Sequence, residues 1–389
     1  GETVCRSCGA LFRRPLSGAG LRCCPEHAFR QKGSAARRII PFRLTCFLLK
    51  GYAFQTDYLL SALYAESLPC LLYPLYVPPF PFQNGRLNSV FPTLFGRVDY
   101  PDRQEGGDSF LRRERISTPD GDFLDIDIYP SPASPRFLAV LTHGLGGNSR
   151  RKYVRGMARA FRRAGGLCAA WNHRGASGEI NRARRFSHMG ETGDLAAVVA
   201  WAERFDLPIV LAGFSMGAHQ TLSYLGGDNV SPAVVCGIAI SDPCDTVTAG
   251  NLIDTPRNTV FRRYLLKQLL PLVREKLSRY PDIAGGADVG GITDFHTFDN
   301  LVTAPAFGFR SAEDYFSRVS ILPRIPFIRK PVFLLNALDD PFCTPACHPF
   351  SEAEKNPVFW FEASRWGGHM GFVPKGDTCY HEARAVRFL

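Results

Sequence analysis

The stretch Gly213-Phe214-Ser215-Met216-Gly217 sets a serine between two glycines, just after the apolar run Pro208–Ala212 and just before the helix-like Ala218–Tyr224. A G-x-S-x-G motif acts in such a strand–turn–helix setting. The sharp turn leaves no room for side chains at the flanking positions and holds the serine hydroxyl in the open. A serine hydroxyl attacks a carbonyl only when a base removes its proton. The chain offers that base in Gly367-Gly368-His369-Met370-Gly371, a glycine-rich loop after the last apolar run. It offers an acid in Asp339-Asp340-Pro341, after the run Pro331–Leu338. Ser215, Asp340 and His369 thus follow one another as nucleophile, acid and base, an order in which this chemistry recurs. Asp340, next to Pro341, is the expected acid, and Asp339 is assigned to the turn. Asp242 and Asp245 remain as other acids, with helix capping as their ordinary use.

A second glycine-rich turn, His143-Gly144-Leu145-Gly146-Gly147, follows the run Phe137–Thr142. Acyl transfer needs backbone N–H groups where negative charge develops on the carbonyl oxygen. The expected donors of this oxyanion hole are the N–H groups of Leu145 and Met216. His143 reads as a structural hydrogen-bonding residue and His219 as a packing residue. His173–Glu179 and His188–Thr192 read as polar loop-fixing networks.

These loops require elements that hold them on one edge. The apolar runs Phe137–Thr142, Leu167–Asn172, Ile209–Phe214, Val234–Ser241, Val332–Ala337 and Val358–Glu362 have the length and composition of buried strands. Amphipathic stretches such as Lys152–Ala164 and Asp194–Phe205 lie between them. That alternation predicts an α/β fold, a mostly parallel central sheet flanked by helices. A hairpin is expected over Arg115–Tyr129, turning at Asp120-Gly121. Residues 243–328 lack a strand pattern but hold helical ones, Val260–Leu270 among them. They are expected to form an α-helical cap over the carboxyl ends of the strands, the edge where open α/β sheets bind ligands.

Six ordered motifs, HGLGG, NHRGASGEINR, SHMGETGDL, GFSMGAH, NALDDPF and GGHMGF, resemble the YheT-like branch of the α/β-hydrolases, which includes carboxylesterases and phospholipid-active members. The resemblance runs from about Leu68 to Leu389. It implies the α/β-hydrolase fold, a triad at Ser215, Asp340 and His369, hydrolysis of carboxylic esters, and no metal or organic cofactor. The elbow departs from the family in reading Ser-Met-Gly-Ala-His where relatives often have Ser-Leu-Gly-Gly-Asn.

The 389 residues are 45% hydrophobic and 21% charged, which fits a globular chain with a large core. The net charge of +10 could suggest a nucleic-acid partner, but its distribution argues against one. Residues 1–43 carry nine Lys/Arg against Glu2 and Glu26, and the rest is nearly balanced. That basic segment reads as an unstructured leader of transit-peptide composition, followed by an extended segment over 44–111 and the hydrolase domain over 112–389. Cys5, Cys8, Cys23, Cys24 and His27 offer an alternative, a zinc-binding interaction module. The twelve cysteines otherwise read as free thiols of a reducing compartment, cytoplasmic unless residues 1–43 direct the chain to an organelle. No run reaches the about 18 uncharged apolar residues of a membrane span. The expected partner is a small-molecule ester or lipid, with peripheral membrane contact as a further reading. An acyltransferase or thioesterase would use the same triad.

Overall fold

The computed structural model describes residues 2–4, 11–13, 70–71, 76–96, 98, 111–130, 132–374 and 376–389. The chain divides into two compact units, Gly1–Gln55 and Thr56–Leu389. The described part of the first is an antiparallel ladder of β1 (Glu2–Val4) and β2 (Leu11–Arg13), with Glu2 opposite Arg13. Cys5, Cys8, Cys23, Cys24 and His27, and with them the zinc reading, lie outside the described residues.

The second unit is built on a nine-stranded sheet. Its strands are β3 (Cys70–Leu71), β4 (Arg112–Ser117), β5 (Phe123–Ile128), β6 (Phe137–Thr142), β7 (Gly166–Trp171), β8 (Ile209–Phe214), β9 (Val234–Ile240), β10 (Val332–Ala337) and β11 (Phe359–Ser364). They lie in the order β3-β11-β10-β9-β8-β6-β7-β5-β4. β5 runs antiparallel to both its neighbours, β7 and β4, the other pairings of this sheet being parallel, and β4 and β5 form the expected hairpin around Gly121, which has φ +76°.

Strand residues alternate between two cores, as the pleat requires. Leu138 and Val140 of β6, with Ile209 and Leu211 of β8, enter one core; Ala139, Leu141, Val210, Ala212 and Phe214 enter the other. Because both faces are covered, every residue of β7, β8 and β10 is buried. The covering helices include α1 (Gly85–Leu94), α2 (Lys152–Arg163), α3 (Gly193–Glu203), α4 (Met216–Leu225) and the C-terminal helix Tyr380–Phe388. This architecture is the α/β-hydrolase fold.

Between β9 and β10 the alternation stops, as the sequence implies. The chain there forms α5 (Thr246–Ile253), α6 (Thr259–Arg279) and α7 (Ala312–Val319), with shorter helical turns between the last two. This insertion has its own apolar core, in which Leu266, Val273, Ile292, Phe295 and Phe298 are buried. Leu145 and Phe186 of the sheet unit pack against that core. Lys276 of α6, only 1% exposed, donates from Nζ to the Asn181 carbonyl at 2.8 Å and to the Ala183 carbonyl.

The register brings the ends that matter to one edge. Thr142 pairs with Gly213, Phe214 with Ile240, and Ala337 with Ser364, all in parallel ladders. The loops leaving β6, β8, β9, β10 and β11 therefore emerge together.

Candidate active site

Ser215 occupies the tight turn between β8 and α4 with φ 53° and ψ −119°, a region costly for any residue with a Cβ. Its flanking glycines are sterically required. A Cβ on Gly213 would stand 2.1 Å from the Gly217 carbonyl oxygen, and one on Gly217 would stand 2.4 Å from that of Thr142. The turn is fastened by the Ser215 N–H donating to the Ile240 carbonyl at 2.9 Å. Ser215 is the one residue of the run Ile209–Leu225 that is not fully buried.

His369, from the loop after β11, meets that serine. Its Nε2 lies 2.8 Å from Ser215 Oγ, and its Nδ1 lies 2.8 Å from Asp340 Oδ2. Asp340 is buried, and its other oxygen accepts the Phe342 N–H at 2.8 Å. The Phe342 ring stands edge-on to the imidazole, centroids 4.4 Å apart. A carboxylate can only accept, so the ring carries its proton on Nδ1, and the bare Nε2 accepts from the Ser215 hydroxyl.

The four acids weighed from the sequence separate by what they touch. Asp340 alone reaches the His369 ring. Asp339 Oδ1 accepts the Gly368 N–H at 2.9 Å, and burial together with the neighbouring Asp340 pushes its carboxyl up to about 6. Asp245 caps α5, accepting from Val247 and Thr248 at 3.0 and 3.1 Å, as expected. Asp242 instead pairs with His219 Nδ1 at 2.8 Å. His219 is fully buried, with Nε2 2.7 Å from the Val319 carbonyl. Burial works to lower this ring's pKa, but the Asp242 carboxylate outweighs it and the net shift is upward. This second His–Asp pair is sealed inside the protein, so it ties α4 to α7 and faces no substrate.

The HGLGG turn lies against the serine. A Cβ on Gly144 would come within 3.2 Å of Ser215 Cβ, and Gly146 adopts φ +65°. The Gly144 N–H is held by the Tyr153 hydroxyl at 3.0 Å. Among the described residues, neither the Leu145 nor the Met216 N–H has a protein acceptor. Met216 opens α4, where the first-turn amides of any helix lack partners. His143 is buried, its Nδ1 2.8 Å from the Gly144 carbonyl and its Nε2 accepting the His173 N–H at 3.1 Å. His173 in turn reaches Gln220 Oε1 at 2.7 Å, and burial draws it down to about 4. Arg174 binds Asp194, Asp120 and Asp122, which fixes the loop after β7.

Two side chains that touch the His369 loop carry no signal in their local sequence. Ser89 Oγ of α1 accepts the His369 N–H at 2.7 Å across a separation of 280 residues. Ser241 Oγ accepts the Met370 N–H at 2.9 Å across 129.

No family model matches the chain. It is similar to YheT of Escherichia coli (strain K12), 30% identical over 315 residues that cover 79% of this chain and 88% of that one. It is also similar to the phospholipase ABHD3 of Mus musculus, 29% identical over 67% of this chain and 66% of the relative. A monoacylglycerol lipase of Saccharomyces cerevisiae is 31% identical over 67% of this chain and 62% of its own length. Sequence, sheet order and the clustered loops agree, and the chain belongs to the YheT-like branch of the α/β-hydrolase superfamily.

Proposed function

We propose that this protein is a serine hydrolase that cleaves carboxylic esters of short to medium acyl chains through an acyl-enzyme. One observation carries the reading. Two consecutive 2.8 Å contacts run from Asp340 through His369 to Ser215, at the carboxyl edge of the sheet. Relatives named as a phospholipase and a monoacylglycerol lipase support an ester substrate.

In this reading Ser215 Oγ attacks the ester carbonyl while His369 Nε2 takes its proton. Asp340 holds the ring and stabilises the imidazolium. The carbonyl oxygen gains negative charge, which the Leu145 and Met216 amides receive; one such donor is typically worth on the order of 100- to 1000-fold in turnover. The tetrahedral species collapses as the C–O bond to the alcohol breaks and His369 returns the proton to the departing oxygen. Water then enters, gives its proton to His369 and attacks the acyl carbon, and Ser215 leaves with the proton restored.

The insertion acts as a cap over this edge. Leu145 packs against its apolar core, and Phe261 of α6 stacks edge-on to Phe342 with centroids 5.1 Å apart. Apolar groups therefore surround the reacting atoms and favour an acyl tail over a polar substrate. Hydrolysis of p-nitrophenyl esters from acetate to palmitate tests the proposal. Turnover of the shorter members, absent in Ser215→Ala, is expected. A folded wild-type protein inert towards the whole series would overturn it.

A further inference from the structure

The base sits on a loop whose backbone is hard to hold. Between Gly367 and Phe372 four residues have positive φ: Gly367 at 151°, Gly368 at 56°, Met370 at 57° and Phe372 at 44°. Glycine takes such angles freely. Met and Phe do so only at a cost, and only where surrounding contacts over-determine them. Those contacts come as a row. The N–H groups of Gly368, His369 and Met370 are each accepted by a side chain from a different element: Asp339 Oδ1 after β10 at 2.9 Å, Ser89 Oγ of α1 at 2.7 Å, and Ser241 Oγ after β9 at 2.9 Å.

The middle contact lies on the base itself, and α1 is shaped around it. Ser89 Oγ donates its own proton to the Gly85 carbonyl at 2.6 Å, so only its lone pairs face the His369 N–H. Asn88, also buried, accepts the Val373 N–H at 2.9 Å and donates to the Phe82 carbonyl at 3.0 Å. A Cβ on Gly368 would stand 2.1 Å from the Gly85 carbonyl oxygen, and one on Gly371 would stand 2.0 Å from that of Asn88. Helix and loop are therefore in backbone contact. Two of the three acceptors belong to the sheet edge, but Ser89 comes from a helix that precedes the first long strand of the sheet in the chain.

We infer that α1 is part of the catalytic apparatus and that Ser89 is the positioning residue that fixes His369 against Ser215. The inference rests on the reading of His369 as the base. Ser89 touches neither substrate nor reacting atoms, so its loss acts on the angle and distance of the imidazole. A misplacement of about 1 Å can cost on the order of 100-fold in rate without weakening substrate binding.

The test compares Ser89→Ala, Ser89→Thr and Ser241→Ala with wild type. It uses p-nitrophenyl butyrate kinetics, thermal melting, and hydrogen–deuterium exchange of peptides spanning residues 366–374. Ser89→Ala is expected to lower kcat roughly 10- to 100-fold with KM within about twofold, and to speed exchange in that loop. Ser89→Thr keeps the acceptor and is expected to restore both. Ser241→Ala should act in the same sense from the other side, and Ser89→Cys, a far weaker acceptor of similar volume, decides the matter should Ser89→Ala not fold. A folded Ser89→Ala variant with wild-type kcat and wild-type exchange overturns the inference, as does a loss confined to KM. Wild-type protein inactive on the ester would instead count against the hydrolase reading, while the exchange measurement would still report on the clamp.

Discussion

At the scale of single residues, the site rests on how few partners each group has. His369 has one carboxylate and one hydroxyl, each at 2.8 Å. Asp340→Asn keeps the shape but offers an NH2 to Nδ1, which forces the ring proton onto Nε2 and leaves Ser215 without a base. Turnover of a p-nitrophenyl ester is expected to fall on the order of 10³- to 10⁴-fold while the melting temperature changes little. A drop of less than tenfold would mean that Asp340 does not set the tautomer. Ser215, Asp340 and His369 are legible in the sequence because each sits in a short motif whose neighbours are dictated by the same turn. Gly213 and Gly217 are glycines because a Cβ would strike backbone oxygens, so the constraint is written beside the residue it serves. Ser89 and Ser241 are not legible in that way. Their contacts join loops that meet only after the sheet has formed, and an ordinary serine carries no local mark of its distant partner.

At the scale of elements, the continuous apolar runs locate the strands and leave only their ends to be set by pairing. β7 starts one residue early because Gly166 pairs with Phe137, and β11 continues to Ser364 because that residue pairs with Ala337. Glu362 would be an odd choice for a buried strand, yet Arg384 and Tyr380 of the C-terminal helix supply its partners. Helical periodicity marks α6, whereas the short turns after it escape notice because three to five residues display no period. One of them holds Asp299, buried, with Thr303 Oγ1 donating to it at 2.5 Å. Burial raises this carboxyl to about 7, with Asp254 adding to the effect. The unfolded chain ionises Asp299 near its ordinary value of about 3.9. Between about pH 4 and 7 the folded state therefore holds the extra proton, and stability falls as pH rises through that window. Asp299→Asn is expected to flatten this slope and to melt above wild type at pH 8. Parallel melting curves of the two proteins from pH 5 to 8 would contradict the assignment.

At the scale of the whole hydrolase unit, the union of sheet and insertion runs through Leu145, Phe186 and Lys276. Lys276 carries much of that union. Its ammonium is buried on α6 against two carbonyls of the 181–183 loop, and burial lowers its pKa to about 8. Lys276→Met fills similar volume but leaves both carbonyls without their donor, a loss of about 1–3 kcal/mol. Thermal melting should show a drop of several degrees, and an unchanged melting temperature would mean that the ammonium adds nothing net. Among the described residues no helix is long and apolar enough to cross a membrane. Cys168, Cys236, Cys244, Cys343, Cys347 and Cys379 are free thiols, four of them buried. The fold class and the place of the insertion are thus readable from alternation alone, whereas the fastening of insertion to sheet is not. Lys276 carries no local mark of the two carbonyls to which it donates.

The most direct test of the central claim is covalent. Treatment with a fluorophosphonate, followed by peptide mass spectrometry, reports which side chain is an activated nucleophile. A single stoichiometric adduct on Ser215 is expected, and none in Ser215→Ala. A folded wild-type protein that takes no label, or a Ser215→Ala variant that labels as fast as wild type, would contradict it.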